Sequence, residues 1–312
     1  MNKYIWALRE LQWLGRRFLH AFTGDYHIDI DKYAGVGIVS DRYANEFIYS
    51  GITGNAPFAV GRTGFAEIGF FCCAQSEIYY NSKVHYYWTP SYINGLHEIT
   101  SGQDRKDGLK RYHSIVMDSL YSMDAVGTFP EMFMCDAVFE TVPNITSKVL
   151  FGINALDTIH ECEGFFWTKA LAGKKVLIVS PFHREILNQY KRKDLLWPDG
   201  RIPSFEIDYD PSIWVDDFPG SFFDALECII DRVLKKDFDV ALLGCGELGL
   251  PLAGAIKKSG RKAIQLGSVL HILFGLKGKR WDDRGIYNEY WIRPGEDTKP
   301  TYSNTIDNNT YW

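Results

Sequence analysis

The chain has 312 residues, 34 of them basic and 39 acidic, and its net charge of −5 excludes a general nucleic-acid-binding surface, which needs a clustered positive field. Hydrophobic residues make up 46% and charged residues 23%, enough for a large core and against disorder. Cys72, Cys73, Cys135, Cys162, Cys228 and Cys245 form no C-x-x-C pair and no framework spacing, which argues against a zinc site or disulfide scaffold and fits a reducing cytoplasm.

Along the chain, Ile5, Leu8, Leu11, Leu14, Phe18 and Phe22 recur at helical spacing and predict an amphipathic helix over 3–22, with Arg9, Arg16 and Arg17 on it. Those arginines break up any secretory signal, and no run of 18 apolar residues follows. The helix either packs on the body or touches the inner face of a membrane. Residues 25–56 read as mixed, with turns at Gly51 and Gly54-Asn55. A buried strand over 58–61 runs through Arg62-Thr63-Gly64 into a helix carrying Glu67, Phe70, Phe71 and Ala74.

The Tyr/Trp-rich stretch 79–92 resists classification. A helix over 109–123 and a strand over 125–129 follow, and 131–150 is ambiguous. A helix ends over 165–171, and a buried strand over 176–179 opens a helix over 183–196, stopped by Pro198. The remaining elements are a helix over 222–235, a strand over 239–243, a helix over 250–259 ended by Gly260, and a strand over 262–266. This alternation predicts an α/β fold: a Rossmann-like, doubly wound, mostly parallel sheet with helices on both faces. We expect an N-terminal extension over 1–56, a core over 57–281 and an aromatic tail over 282–312 that folds back on the core.

Four turns carry the candidate chemistry. Gly244-x-Gly246-x-x-Gly249 lies between a strand and a helix, where glycines let a phosphate approach the backbone and the helix N-terminus supplies N–H groups. A dinucleotide site also asks for an acid about 20 residues on. Gln265 stands there instead, followed by Leu266-Gly267-Ser268. In Gly61-Arg62-Thr63-Gly64, Arg62 offers a fork for phosphate or carboxylate. Glu67 is a candidate base, metal ligand or hydroxyl ligand, or simply a favourable charge at a helix start. Ser180 and His183 open a helix after a strand, at the sheet edge where α/β proteins bind ligands. Lys277, Lys279 and Arg280 alternate with glycines ahead of Trp281, which suits a diphosphate and a stacked ring, or a solvated surface.

The order of G-R-x-G-x-x-E, K-K-V-L-I-V-S-P-F, L-L-G-C-G-x-x-G-L-P-L-A-G-A-I-K-K-S-G-R-K-A-I-Q-L-G and L-F-G-L-K-G-K-R-W resembles bacterial glycosyltransferases of the GT-D fold, from polysaccharide-biosynthesis clusters. The resemblance runs over about 57–281 and the aromatic end, and is most specific over 240–281. It implies transfer of a sugar from a nucleotide diphosphate donor, a UDP-sugar foremost, to a glycan acceptor in surface polysaccharide synthesis. Family members carry Asp-x-Glu after the R-x-G turn, tied to the donor and a divalent cation, Mn or Mg. Here Phe65-Ala66-Glu67 keeps the Glu and lacks the Asp. The resemblance then implies Lys277, Lys279 or Arg280 as the charges that neutralise the leaving diphosphate. From the residues themselves, with the Glu67 of the family motif, catalysis is expected on Glu67, Arg62 and His183. Donor contacts fall on Gly61, Gly64, Ser180, Gly244, Gly246, Gly249, Gly267, Ser268 and the 277–281 turn. The alternatives are an NAD-dependent oxidoreductase, a methyltransferase, or a non-catalytic nucleotide- or glycan-binding relative.

Overall fold

The computed structural model describes residues 3–23, 32–81, 105–129, 139–157, 159, 164–212 and 214–299, without the side chains of 65–69 and of some other helical positions. Nine strands form one sheet among these residues: β1 (Lys32–Tyr33), β2 (Val36–Val39), β3 (Phe58–Arg62), β4 (Ala125–Thr128), β5 (Val149–Gly152), β6 (Lys175–Val179), β7 (Glu206–Asp210), β8 (Val240–Leu243) and β9 (Lys262–Gln265). Their order is β1-β2-β5-β4-β3-β9-β8-β6-β7. Only the β1/β2 pair is antiparallel, so strands β2 to β9 all end on the same edge.

The helices are α1 (Lys3–Thr23), α2 (Asp41–Thr53), α3 (Phe65–Tyr80), α4 (Arg105–Ser122), α5 (His183–Tyr190), α6 (Lys193–Leu196), α7 (Phe222–Leu234), α8 (Gly249–Lys258) and α9 (Val269–Leu273). Side chains of β3, β6 and β8 alternate between two cores. Ala59, Leu177, Val179, Ala241 and Leu243 enter one, with α3, α4, α7 and α8. Phe58, Val60, Val176, Ile178, Val240 and Leu242 enter the other, with α2, α5, α6 and α9. All four residues of β8 are buried, as expected of a strand covered on both faces.

Direction of travel correlates with the face used. The connections from β3 to β4, β7 to β8 and β8 to β9 step one way across the sheet and pack on the first face. Those from β2 to β3 and β6 to β7 step the other way and pack on the second. A single crossover hand requires this coupling. The expected doubly wound, mostly parallel α/β architecture is the fold of this chain.

Several local expectations are revised. The helix over 183–196 is two short helices, with Arg192 between them donating its N–H to the Gln189 carbonyl. Only a 3-10 turn forms at Trp167–Leu171 in place of a helix end. There the Trp167 N–H is taken by Asn45 Oδ1, while Asn45 Nδ2 donates to the Ala155 carbonyl. A side chain from α2 thus fixes this backbone, which periodicity cannot foresee. Within the stretch read as mixed, α2 is capped by Ser40, whose hydroxyl accepts from the Tyr43 N–H. The edge strand β7, Glu-Ile-Asp-Tyr-Asp, alternates apolar with acidic residues at strand period, pairs with β6 through its backbone and packs Ile207 against the second core.

Among the described residues no helix is long and apolar enough to cross a membrane. The residues 82–104, 130–138 and 300–312, and with them much of the Tyr/Trp-rich stretch and the end of the aromatic tail, lie outside the described residues.

Candidate functional site at the carboxyl edge of the sheet

Strands β3, β9, β8 and β6 lie side by side and end on one edge. Chain leaving β3 and β8 goes to one face, and chain leaving β9 and β6 goes to the other. Neighbouring connections that part to opposite faces leave a crevice between them, where open α/β sheets bind ligands. Four loops line it: Thr63-Gly64, Leu266-Gly267-Ser268, the 244–248 turn and Ser180-Pro181-Phe182.

Arg62 closes β3 and is 9% exposed. Its Nη1 donates to the Leu266 carbonyl at 2.7 Å, and its guanidinium carbon lies 5.5 Å from the centre of the Phe129 ring. A side chain at Gly267 would press on that guanidinium, because a Cβ there would stand 3.0 Å from Nη1. Thr63 is fully buried, and its N–H and hydroxyl both donate to the Gly127 carbonyl. Gly61 is small for a packing reason: a Cβ would sit 2.7 Å from Leu250 Cδ1 of α8.

Gln265, 2% exposed at the end of β9, joins two of the loops. Its Oε1 accepts the Arg62 N–H at 2.9 Å. Its side chain also lies against Gly249, where a Cβ would come within 3.1 Å of Cγ. The residue at the place of the expected ribose acid therefore serves as a tie between the β3 turn and the glycine turn.

Within the glycine turn, Gly244 is pinned between Leu270 and the Gly267 carbonyl, and a Cβ there would be 2.7 Å from Leu270 Cδ2. Gly246 has φ +55 and open space around it, so its backbone conformation is what asks for glycine. A 3-10 turn at Gly246–Leu248 leads directly into α8; the Gly249 N–H donates to the Gly246 carbonyl and Pro251 has no N–H, so the donors that the expected helix start would offer an anion fall to the 246–248 turn instead. Cys245 is buried, and its thiol is pushed far up by burial first, with the Glu247 and Asp210 carboxylates adding to it. Asp210, at the end of β7 and 2% exposed, is neutralised by Arg232, whose Nη2 lies 2.5 Å from Oδ1.

Ser180 and His271 form the other wall. Ser180 is fully buried, and its Oγ lies 3.2 Å from His271 Nε2 and accepts the Phe182 N–H. His271 is 3% exposed and stands edge-on to Phe182 at 4.7 Å. Burial holds its pKa down at about 3, so the ring is neutral. Sequence reading missed His271, though a signal was present: a lone histidine in the otherwise apolar run 269–274.

The remaining expected residues fall elsewhere or outside description. His183 starts α5 with its ring stacked on Tyr209 of β7 at 4.8 Å. Burial lowers its pKa, and Arg184 lowers it further. Glu67 is the third residue of α3, and its side chain lies outside the described residues. Lys277, Lys279, Arg280 and Trp281 belong to a turn held by the 287–292 segment. The Lys277 N–H donates to the Ile292 carbonyl, Gly278 exchanges hydrogen bonds with the Tyr287 hydroxyl, and Trp281 is buried in the core that contains Trp291. Arg280 and Lys279 are exposed. The structure thus brings Arg62, Gly267, Ser180 and the 244–249 turn to one edge. The contacts it gives the 277–281 turn run to a different part of the chain. Among the described residues no three His, Cys, Asp or Glu side chains are grouped to hold a metal ion.

No family model matches the chain, and no curated protein matches it. Two solved structures are similar to it. One is described as the highly conserved domain of unknown function 1792 with a distinct glycosyltransferase fold, at 15% identity and a TM-score of 0.46. The other is a selenomethionine-substituted structure of domain of unknown function 1792, at 15% identity and a TM-score of 0.44. Each comparison covers 89% of this chain and 91% of the other. Both are likenesses of fold at low identity.

Proposed function

We propose that this chain is a glycosyltransferase that binds a nucleotide diphosphate-sugar, a UDP-sugar foremost, at the edge formed by β3, β9, β8 and β6. The observation that supports the reading best is the Gln265 tie, which sets the Arg62 turn and the glycine turn side by side. A diphosphate needs close backbone approach, N–H donors and a cation, and these two turns supply them together. The same observation disfavours a dinucleotide. The side chain where a ribose-binding acid would stand is a buried amide whose oxygen already accepts from Arg62.

In this mechanism the backbone N–H groups of the 246–248 turn and the Arg62 guanidinium face the departing nucleoside diphosphate as its negative charge grows. Glu67 takes the acceptor hydroxyl proton or orients that hydroxyl. The missing Asp at Phe65 leaves Glu67 as the one carboxylate of the motif, so no step is routed through a divalent cation. The acceptor is a glycan of a surface polysaccharide. Charge-removal variants of Lys277, Lys279 and Arg280 would assign these cations to the acceptor or the donor.

The test is calorimetric titration of the full chain with UDP, a panel of UDP-sugars, NAD and S-adenosylmethionine, followed by a transfer assay. Binding of UDP and a UDP-sugar but not of NAD is expected. Binding of NAD or S-adenosylmethionine alone would refute the proposal.

A further inference from the structure

Helix α1 presents a face that its own sequence does not explain by packing. Tyr4, Leu8, Leu11, Phe18, Leu19 and Phe22 are each between 52% and 79% exposed. At about 100° per residue these six positions, with Gly15 among them, fall within an arc of roughly 100°. The arc is apolar from end to end of the 21-residue helix. Phe18 and Phe22, one turn apart, bring their rings to 4.7 Å on it. Single exposed apolar side chains are ordinary on a protein surface, whereas a contiguous stripe of this length marks a surface that something covers.

Charge identifies the covering partner. The helix carries Lys3, Arg9, Arg16 and Arg17 against the single acid Glu10, in a chain whose net charge is −5. The three arginine positions fall roughly 60° to 100° beyond the edges of the stripe, on the half of the helix that also carries Trp6, Trp13 and His20. Two copies joined along the stripe would bring basic helices together and gain nothing from those charges. A surface of anionic headgroups over an apolar layer satisfies both arcs at once.

We propose that α1 docks the protein on an anionic phospholipid bilayer, with Leu8, Leu11, Phe18, Leu19 and Phe22 entering the boundary between headgroups and acyl chains. The helix lies in the plane of the membrane and does not cross it. This inference is independent of the transfer reaction and is tested without any transferase assay.

The experiment is flotation of the full chain with vesicles of phosphatidylcholine alone and of phosphatidylcholine mixed with phosphatidylglycerol. The wild type is expected to partition at least about tenfold more strongly onto the anionic vesicles, and to lose that preference in high salt. The double variant Leu11→Glu/Phe18→Glu should lose at least about tenfold in partitioning while its thermal melting stays that of the wild type, since both side chains are exposed. The triple variant Arg9→Gln/Arg16→Gln/Arg17→Gln should bind both vesicle types alike. A wild type that stays unbound to anionic vesicles overturns the proposal, as does a double variant that binds like the wild type. Light scattering that shows a dimer, made monomeric by the double variant, without vesicle binding would assign the stripe to a second copy of the chain instead.

Discussion

Replacing His271 by Gln should remove a large, calculable part of the acid sensitivity of folding. In the folded chain burial holds His271 at about 3, whereas a histidine in the unfolded chain titrates at about 6.5. Below the unfolded value, the unfolded chain binds a proton that the folded chain refuses, so stability falls as pH falls. The contribution is intact above about pH 6.5 and is lost progressively from there down to about pH 3. Between pH 7 and pH 5 the unfolded histidine takes up most of a proton and folded His271 almost none, which integrates to about 2 kcal/mol of lost stability. His113 behaves in the same way. It is 6% exposed, its Nε2 lies 2.8 Å from Gln75 Oε1, and burial lowers it to about 4. The two histidines together should therefore cost about 4 kcal/mol over that interval, and His271→Gln should reduce the measured loss by about 2 kcal/mol. The assay is urea unfolding of wild type and variant at pH 7 and pH 5. Carboxylates contribute equally to both proteins and cancel in the comparison. If the loss between the two pH values is the same in both, His271 is not buried and neutral as described, and the wall it forms with Ser180 is misassigned.

Two glycines of the same turn should respond in different ways. Gly246→Ala meets no neighbouring atom and pays only for φ +55, about 1 kcal/mol, whereas Gly244→Ala drives a Cβ against Leu270 and the Gly267 carbonyl and should cost about 2–3 kcal/mol. Urea midpoints rank them, and the reverse order would contradict the geometry. Arg232→Met leaves Asp210 buried without its partner and should cost about 2 kcal/mol, below the value for a fully buried pair because Arg232 is 37% exposed; chemical denaturation measures it, and an unchanged stability would show that Asp210 is neutral or solvated. Glu67→Gln should abolish sugar transfer with thermal melting unchanged, and turnover at the wild-type rate would remove Glu67 from the mechanism. Arg62→Lys keeps the charge but loses the planar fork and should weaken UDP binding in calorimetry by about tenfold, with equal affinity refuting a phosphate contact.

Much of the fold was legible because its signals are local. The buried strands over 176–179 and 239–243 read as apolar runs, the helix at Phe222–Leu234 as an apolar face, and Gly260 as a helix stop whose φ is +88. The glycine turn was legible for the same reason: a tight strand-to-helix turn demands small residues wherever it occurs. Edge strand β7 was less so, although Ile207 and Tyr209 alternate with acids at strand period, because five residues with three acids make a short signal that the pairing with β6 completes.

By itself, then, the sequence determined the alternation of strands and helices, the basic amphipathic character of α1 and the positions of the turns that bear chemistry. It also determined that no acid stands at Gln265. Only the tertiary structure decided what Gln265 does instead. Its amide meets Arg62 across 203 residues of chain and touches Gly249 as well, so the two turns become neighbours on one edge. The same holds for His271 and Ser180, which are 91 residues apart. Propensity and periodicity act over a few residues, whereas the order of strands in a sheet is chosen by burial of both faces at once. Which turns share an edge is therefore a property of the packed sheet.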